Sequence, residues 1–350
     1  MTINKNKAIL FTDIHHGRKG NSDIHNTDTS DFIDWMITKI KSDTSISTII
    51  FLGDWFETRS AINISTLDFS HSNLEKLNDV GLPIYFCVGN HDLYRRHNRD
   101  VFSVKIFNTF KNIHIISEIT TLNICGASVL LSPYLFKHEY EILKERQKDV
   151  DYMFGHFEFK DFILTGGSYK LEHGPDGNEF SHPKRIFSGH FHKRQSQKNI
   201  HFIGNTFPMD MGDCGDTLRG CATIDLVTNQ LEFFDWKEAP KYYKYKLSDL
   251  LSSDILSTTD FSKSYVEIHV DIELAYSDSI DIKNVILASG ARSVQLRNTF
   301  TLETTDEENI LEESVVNTET TSDTIIKFLA SIKDLKNIKT TKLIDLYKTL

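Results

Sequence analysis

The chain has too few cysteines to be organised around them. Cys87, Cys125, Cys214 and Cys221 are dispersed and form no CxxC pair, which excludes a zinc ribbon and a disulfide framework and leaves buried free thiols as the expected role. Long apolar runs are also missing. Nothing approaches 18 consecutive apolar residues, and MTINKNKAILF enters its first apolar stretch without a signal-peptide pattern, so no membrane association is expected and a cytoplasmic location is. Basic surplus is absent too: 39 Lys and Arg stand against 49 Asp and Glu, a net charge of −10. Coating nucleic acid by bulk charge needs the opposite balance, leaving that task to a local basic rim or to bound cations. No repeat period is evident.

What the chain does have, from residue 7 to about 235, is a series of short apolar runs that each end in glycine, polar and histidine residues: KAILFTDIHHG, STIIFLGDWFE, LPIYFCVGNHD, DYMFGHFEF, KRIFSGHFHKR and IHFIGNTF. They read as buried strands with chemistry at their ends. Helical patterns lie between the first of them, at 31–41 and 65–81, the latter stopping at Gly81. Strand alternating with helix predicts an α/β fold, and the closer succession of later strands predicts some antiparallel pairing. A four-layer α/β/β/α sandwich over residues 1–238 fits this order.

After Trp236 the pattern changes. SYVEIHVDIEL (264–274) alternates Val266, Ile268, Val270 and Ile272 against Glu267, His269, Asp271 and Glu273, a half-exposed strand. With a helix expected at 281–289 and a strand in ARSVQLRN, residues 239–300 form a small second α+β domain. Residues 301–323 have a linker composition, with seven acidic and no basic residues over 301–322. The stretch 324–350 then places Ile325, Phe328, Leu329, Ile332 and Leu335 at helical spacing, an apolar face that requires either a partner or its own domain to cover it.

The strand ends supply metal-ligand chemistry in order: Asp13 and His15, Asp54, Asn90 with His91, His156, then His190 and His192. Residues two apart at an extended strand end share a side. Each string alone is common, and turn chemistry would explain its glycine; five in order, each after an apolar run, are not common. Two carboxylates, one amide and four imidazoles exceed a single four-coordinate zinc. Shared between two ions with Asp54 bridging, they form mixed oxygen and nitrogen sites suited to manganese, iron or zinc rather than calcium or magnesium alone. Two such ions suit phosphoester hydrolysis. His91 is placed to stabilise charge at phosphorus and protonate the leaving oxygen, with Asp92 either orienting it or capping the turn.

The set DxH, GDxxE, GNHD, GHxE and GHFH resembles the calcineurin-like metallophosphoesterase superfamily across residues 7–207. FLGDWFETRSA, VGNHDLYRR, FSGHFHKR and FIGNTFPMDMGD are similar to its SbcD-type DNA double-strand-break repair nucleases, and among those to the bacteriophage recombination endonuclease subunits. The resemblance implies that Asp13, His15, Asp54 and His192 hold one ion and Asp54, Asn90, His156 and His190 the other. It implies Mn²⁺, with Mg²⁺, Fe²⁺ or Zn²⁺ as alternatives, and His91 as the leaving-group residue. It further implies DNA as substrate, a DNA-capping role for 239–300 and a homodimer formed around 65–79 and 99–111. An SMC-like ABC ATPase would bind the helical segment 324–350 through Phe328, Leu329, Ile332 and Leu335, and a phage-encoded member would work in the host cytoplasm.

Arg95, Arg96 and Arg99 with Lys193 and Arg194 form the expected DNA-binding rim. One position departs from the family: some members carry a histidine three residues after the bridging aspartate to orient duplex ends, where this chain has Glu57, for which an ion pair with Arg59 is the alternative expectation. Other functions consistent with the sequence are a phosphatase or small-molecule phosphodiesterase of the same fold, and a scaffold for the ATPase.

Overall fold

The structure is a computed structural model that describes residues 5–164 and 169–299. All of them belong to the first of two compact units, spanning 1–300; the expected linker and helical segment fall in the second, 301–350, outside the described residues. In chain order the strands are β1 (Lys7–Phe11), β2 (Ile46–Phe51), β3 (Ile84–Cys87), β4 (Ile113–Ile116), β5 (Thr120–Ile124), β6 (Ala127–Ser132), β7 (Tyr152–Gly155) and β8 (Arg185–Ser188). They continue as β9 (Gln195–Gln197), β10 (Ile200–Phe202), β11 (Gly220–Asp225), β12 (Leu231–Asp235), β13 (Lys241–Lys246), β14 (Ser264–Val270) and β15 (Ser293–Asn298).

Two six-stranded sheets, ordered β12-β11-β1-β2-β3-β4 and β5-β6-β7-β8-β10-β9, face one another. Their strands are apolar on both sides, so alternation serves two cores. Ala8, Leu10, Ile50 and Leu52 meet Val129, Leu131, Phe154 and Phe187 between the sheets. Ile9, Phe11, Ile49 and Phe51 point the other way, onto Phe32, Ile33 and Met36 of the helix Asp23–Ser42 and Leu74 and Leu77 of the helix Ile64–Asp79. On the far side of the second sheet, Leu130, Met153 and Ile186 pack with Tyr140 and Leu143 of the helix Tyr140–Arg146. This is the four-layer α/β/β/α order. The antiparallel pairs are β1 with β11, β11 with β12, β5 with β6 and β9 with β10.

Residues 241–298 build a third sheet, β13-β14-β15, parallel throughout. Parallel neighbours need crossovers, supplied by Leu247–Ser252 with Ile255–Thr258 and by Tyr276–Ala288, which starts five residues before the expected position. KYYKYK was not expected as a strand. Glu267, assigned to the exposed side, is buried, where it pairs with His269 and Arg297 at 2.8 Å each. The small sheet docks on the helix Asp23–Ser42 through Arg292, whose two nitrogens lie 2.6 and 2.7 Å from the carboxylate of buried Asp28, and through Lys263 with Asp31 at 2.8 Å.

Candidate metal centre

Parallel strands put equivalent ends on one edge, so the loops after β1, β2, β3, β7 and β8 meet. The seven expected ligands lie there, Asp13, His15, Asp54, Asn90 and His156 buried and His190 and His192 half-buried. His15 Nε2 is 3.2 Å from His192 Nε2 and 3.8 Å from both Asp13 Oδ1 and Asp54 Oδ2. Asn90 Oδ1 lies 2.8 Å from both His156 Nε2 and His190 Nδ1, and Asp54 Oδ2 lies 3.3 Å from His156 Nε2. Two donor groups thus stand side by side, Asp13 with His15 and His192, and Asp54 with His156 and His190; a third, His15 with Asp54 and His91, joins them.

Two backbone features explain the glycine that precedes Asp54, Asn90, His156 and His190 and the rarity of the arrangement. A Cβ on Gly89 would lie 2.2 Å from both the backbone nitrogen and Oδ1 of Asp54, and one on Gly189 would lie 2.1 Å from Thr12 Oγ1. Asp13, His15, Asp54 and His190 all hold positive φ, between 50° and 82°, a conformation unfavourable to side chains with a Cβ and concentrated at functional sites.

The donors fit cations. Nitrogens bound at 2.0–2.1 Å to one ion stand roughly 2.9–3.4 Å apart, matching the 3.2 Å of His15 to His192 and of His156 to His190. The opposite ring nitrogens are taken up by acceptors, which turns the remaining lone pair inward. His156 Nδ1 donates to Leu52 O at 2.7 Å. His190 Nε2 lies 3.1 Å from Glu158 Oε1. His15 Nδ1 lies 2.8 Å from Glu57 Oε2, at an angle that makes it an ion-pair contact rather than a straight hydrogen bond.

Electrostatics point the same way. Burial opposes the charge of Asp54, yet His156, His91 and His15 hold its carboxyl well below the usual range; Asp13 is lowered against burial by His15, His156 and His192. Burial pushes His15 down, but Asp13, Glu57 and Asp54 outweigh it and raise the imidazole to about 10. His156 rises to about 9, with Asp54 and Asp13 overcoming burial. Burial and then His15 push His192 to about 3. Protonated imidazoles thus occupy the place that cations bound to the same carboxylates would take.

His91 lies beside the centre, its backbone N–H donating to Asp54 Oδ1 at 2.8 Å and its Nδ1 to Glu57 O at 2.7 Å. Burial lowers its pKa, against the pull of Asp54. Of the two roles open to Asp92, the structure has the turn cap: its carboxylate accepts from the N–H groups of Gly89, Trp55, Asp54 and Phe56 at 2.9–3.2 Å. Burial and then Asp54 push it up to about 7, against the Gly89 and Phe56 donors. The orienting partner of His91 is instead the carbonyl of Glu57. Glu57 itself pairs with His15 and with Arg18, at 3.3 Å, and not with Arg59.

Of the expected basic rim, Arg95 and Arg96 are exposed and Lys193 half-buried. Arg99 is engaged by Glu139 and the carbonyl of Tyr134, and Arg194 by Asp235 at 2.7 Å and the ring of Phe233. Both guanidiniums are thus engaged within the protein, although Arg194 Nη2 is buried without a hydrogen-bond partner among the described residues. A cleft of about 850 Å³ opens beside the cluster, lined among others by Arg96, Tyr134, Phe136, Lys137 and Glu158. Sequence reasoning gave Glu158 and Tyr134 no role. Glu158 stands two residues after His156, the spacing that shares a side, while Tyr134, bonded to Glu158 at 3.1 Å, carried no signal.

Residues 7–194 match the calcineurin-like phosphoesterase family, and the chain belongs to it. Over 191 residues, 54% of this chain, it is 29% identical to exonuclease subunit 1 of Enterobacteria phage T4; the match spans 56% of that relative's length. Among solved structures it is similar to an archaeal phosphodiesterase, with 9% identity over 66% of this chain and 99% of the other at a TM-score of 0.37. It is also similar to a dimetal phosphatase from Danio rerio, with 10% identity over 66% and 96% at 0.43. Among the described residues no helix is long and apolar enough to cross a membrane.

Proposed function

We propose that the chain is the nuclease subunit of a DNA repair or recombination complex and hydrolyses phosphodiester bonds at a two-ion centre. One observation carries the hydrolytic reading: seven oxygen and nitrogen donors from five strand ends converge, with neighbouring donor atoms 2.8–3.8 Å apart. Asp13, His15, Asp54 and His192 would hold the first ion and Asp54, Asn90, His156 and His190 the second; this donor set suits manganese, iron or zinc, and the family resemblance favours Mn²⁺ among them. Two divalent ions in such a site supply a nucleophilic water at neutral pH and positive charge against phosphoryl oxygens.

The chain's own part is orientation and proton transfer. His91, with Nδ1 committed to Glu57 O, keeps Nε2 for the substrate, and protonated there it donates to the leaving oxygen. The exonuclease-subunit relative supports DNA as substrate. Arg96, which lines the cleft, exposed Arg95 next to it in sequence, and Lys193 would meet its phosphates, whereas Arg99 and Arg194 are engaged by Glu139 and Asp235. A homodimer, and an SMC-like ATPase bound through Phe328, Leu329, Ile332 and Leu335, complete the reading.

The test is Mn²⁺-dependent cleavage of end-labelled linear DNA by the purified chain, beside a chromogenic phosphodiester and a His91→Ala control. Cleavage of DNA that is lost in the variant supports the nuclease. Cleavage of the small ester alone, unchanged when the ATPase is added, would remove DNA as the substrate and leave a phosphodiesterase. Removing 324–350 should abolish co-purification with the ATPase and leave Mn²⁺ content intact.

A further inference from the structure

The structure assigns Glu57 the part of a positioning residue that serves two histidines through two different groups, its carboxylate for the ligand His15 and its backbone carbonyl for His91. The backbone of Phe56 and Glu57 is pinned along the first ligand loop by a parallel bridge between His16 and Phe56, with Glu57 N–H donating to His16 O at 3.0 Å. That places Oε2 2.8 Å from His15 Nδ1 and the carbonyl 2.7 Å from His91 Nδ1. The two rings stand 4.9 Å apart and nearly perpendicular, at 88°. With Nδ1 occupied in both, each presents Nε2 to the centre.

The carboxylate is itself held. Arg18 Nη1 lies 3.3 Å from the same Oε2, and Arg18 Nη2 lies 2.7 Å from Asp210 Oδ2. Nothing comparable links Glu57 to the second donor group: His156 rests on Leu52 and His190 on Glu158. Loss of the Glu57 carboxylate therefore frees the His15 ring and lets its proton move to Nε2, the nitrogen that must be bare to bind an ion. The hold on His91 comes from main chain and survives removal of the side chain. The two functions of one residue are separable by mutation.

This inference rests on the two-ion reading of the site. The experiment is Mn²⁺ titration of the full chain by calorimetry and electron paramagnetic resonance, with Glu57→Ala and Glu57→Gln beside the wild type and thermal melts of the metal-free proteins. In Glu57→Ala one of the two ions should bind roughly 10–100-fold more weakly and the other within roughly twofold of wild type. In Glu57→Gln the amide oxygen keeps its place opposite His15 Nδ1, so both constants should stay within roughly threefold. At saturating Mn²⁺ the Glu57→Ala kcat on a chromogenic phosphodiester should return to within roughly threefold of wild type, because the carbonyl still holds His91. Equal weakening of both ions, no weakening of either, or a Gln variant as impaired as Ala would overturn the assignment. A wild-type chain that takes up no Mn²⁺ would overturn it together with the metal centre. Failure to cut DNA with both ions bound would instead count only against the nuclease.

Discussion

Replacing Asp92 by Asn separates its two candidate roles. Oδ2 accepts from Gly89 N at 2.9 Å and Asp54 N at 3.2 Å, and Oδ1 from Trp55 N at 3.0 Å and Phe56 N at 3.2 Å. A carboxylate offers acceptors on both sides; an amide offers one oxygen and one donor. Whichever way the new side chain turns, two buried N–H groups face an NH₂. Each costs about 1–3 kcal/mol, so the variant should lose roughly 2–6 kcal/mol. With about 2.1 cal/mol/K of unfolding entropy per residue over roughly 300 residues, that is a fall in Tm of roughly 3–10 °C. The melt belongs at pH 8, because burial and Asp54 push the Asp92 carboxyl up to about 7 and only the ionised form has four acceptor positions. The metal-free protein is the sample, so that ion release does not contribute. An unchanged Tm accompanied by lost hydrolysis would refute the cap and return Asp92 to a role in orienting His91.

Three further outcomes follow from the same geometry. His15, at about 10, and His156, at about 9, carry protons at pH 7 in the metal-free chain, and both must be neutral as ligands; loading the centre should therefore release about two protons per chain and weaken as pH falls, read by calorimetry in buffers of different ionisation enthalpy. Asp28→Ala leaves Arg292 without its bidentate partner and should loosen the small sheet by about 1–3 kcal/mol, seen as faster limited proteolysis near 236–246, with Mn²⁺ affinity unchanged. Arg95→Ala with Arg96→Ala should lower the salt slope of DNA binding by about 1–2 and leave the chromogenic ester untouched, whereas Arg194→Ala should act on the melt, because it removes a pair with Asp235.

The candidate donors are legible because they cluster in the few residues that follow each apolar strand, a signal that lies along the chain. What holds them in place was not legible. The Asp92 cap joins segments 36–38 residues apart in sequence, and its partners are main-chain groups, which leave no mark in composition. Glu57 drew attention only as a departure, and its neighbour in sequence, Arg59, was the wrong partner; Arg18 reaches it from another loop. The helix beginning at Asp23 was expected only from residue 31, because His25, Asn26, Asp28 and Thr29 are buried polar residues that interrupt the apolar period. KYYKYK escaped notice because its lysines mask an alternation in which only Tyr242 is buried.

The left-handed backbone at Asp13, His15, Asp54 and His190 has an evolutionary consequence. Each of these residues sits where glycine would rest more easily, at a cost of roughly 1 kcal/mol or more apiece. Drift toward glycine there would relieve the backbone and remove the donor side chain in one step. On the two-ion reading it is selection for activity that maintains the strained version, so a descendant freed from that selection is expected to change first at these four positions, before it loses the fold.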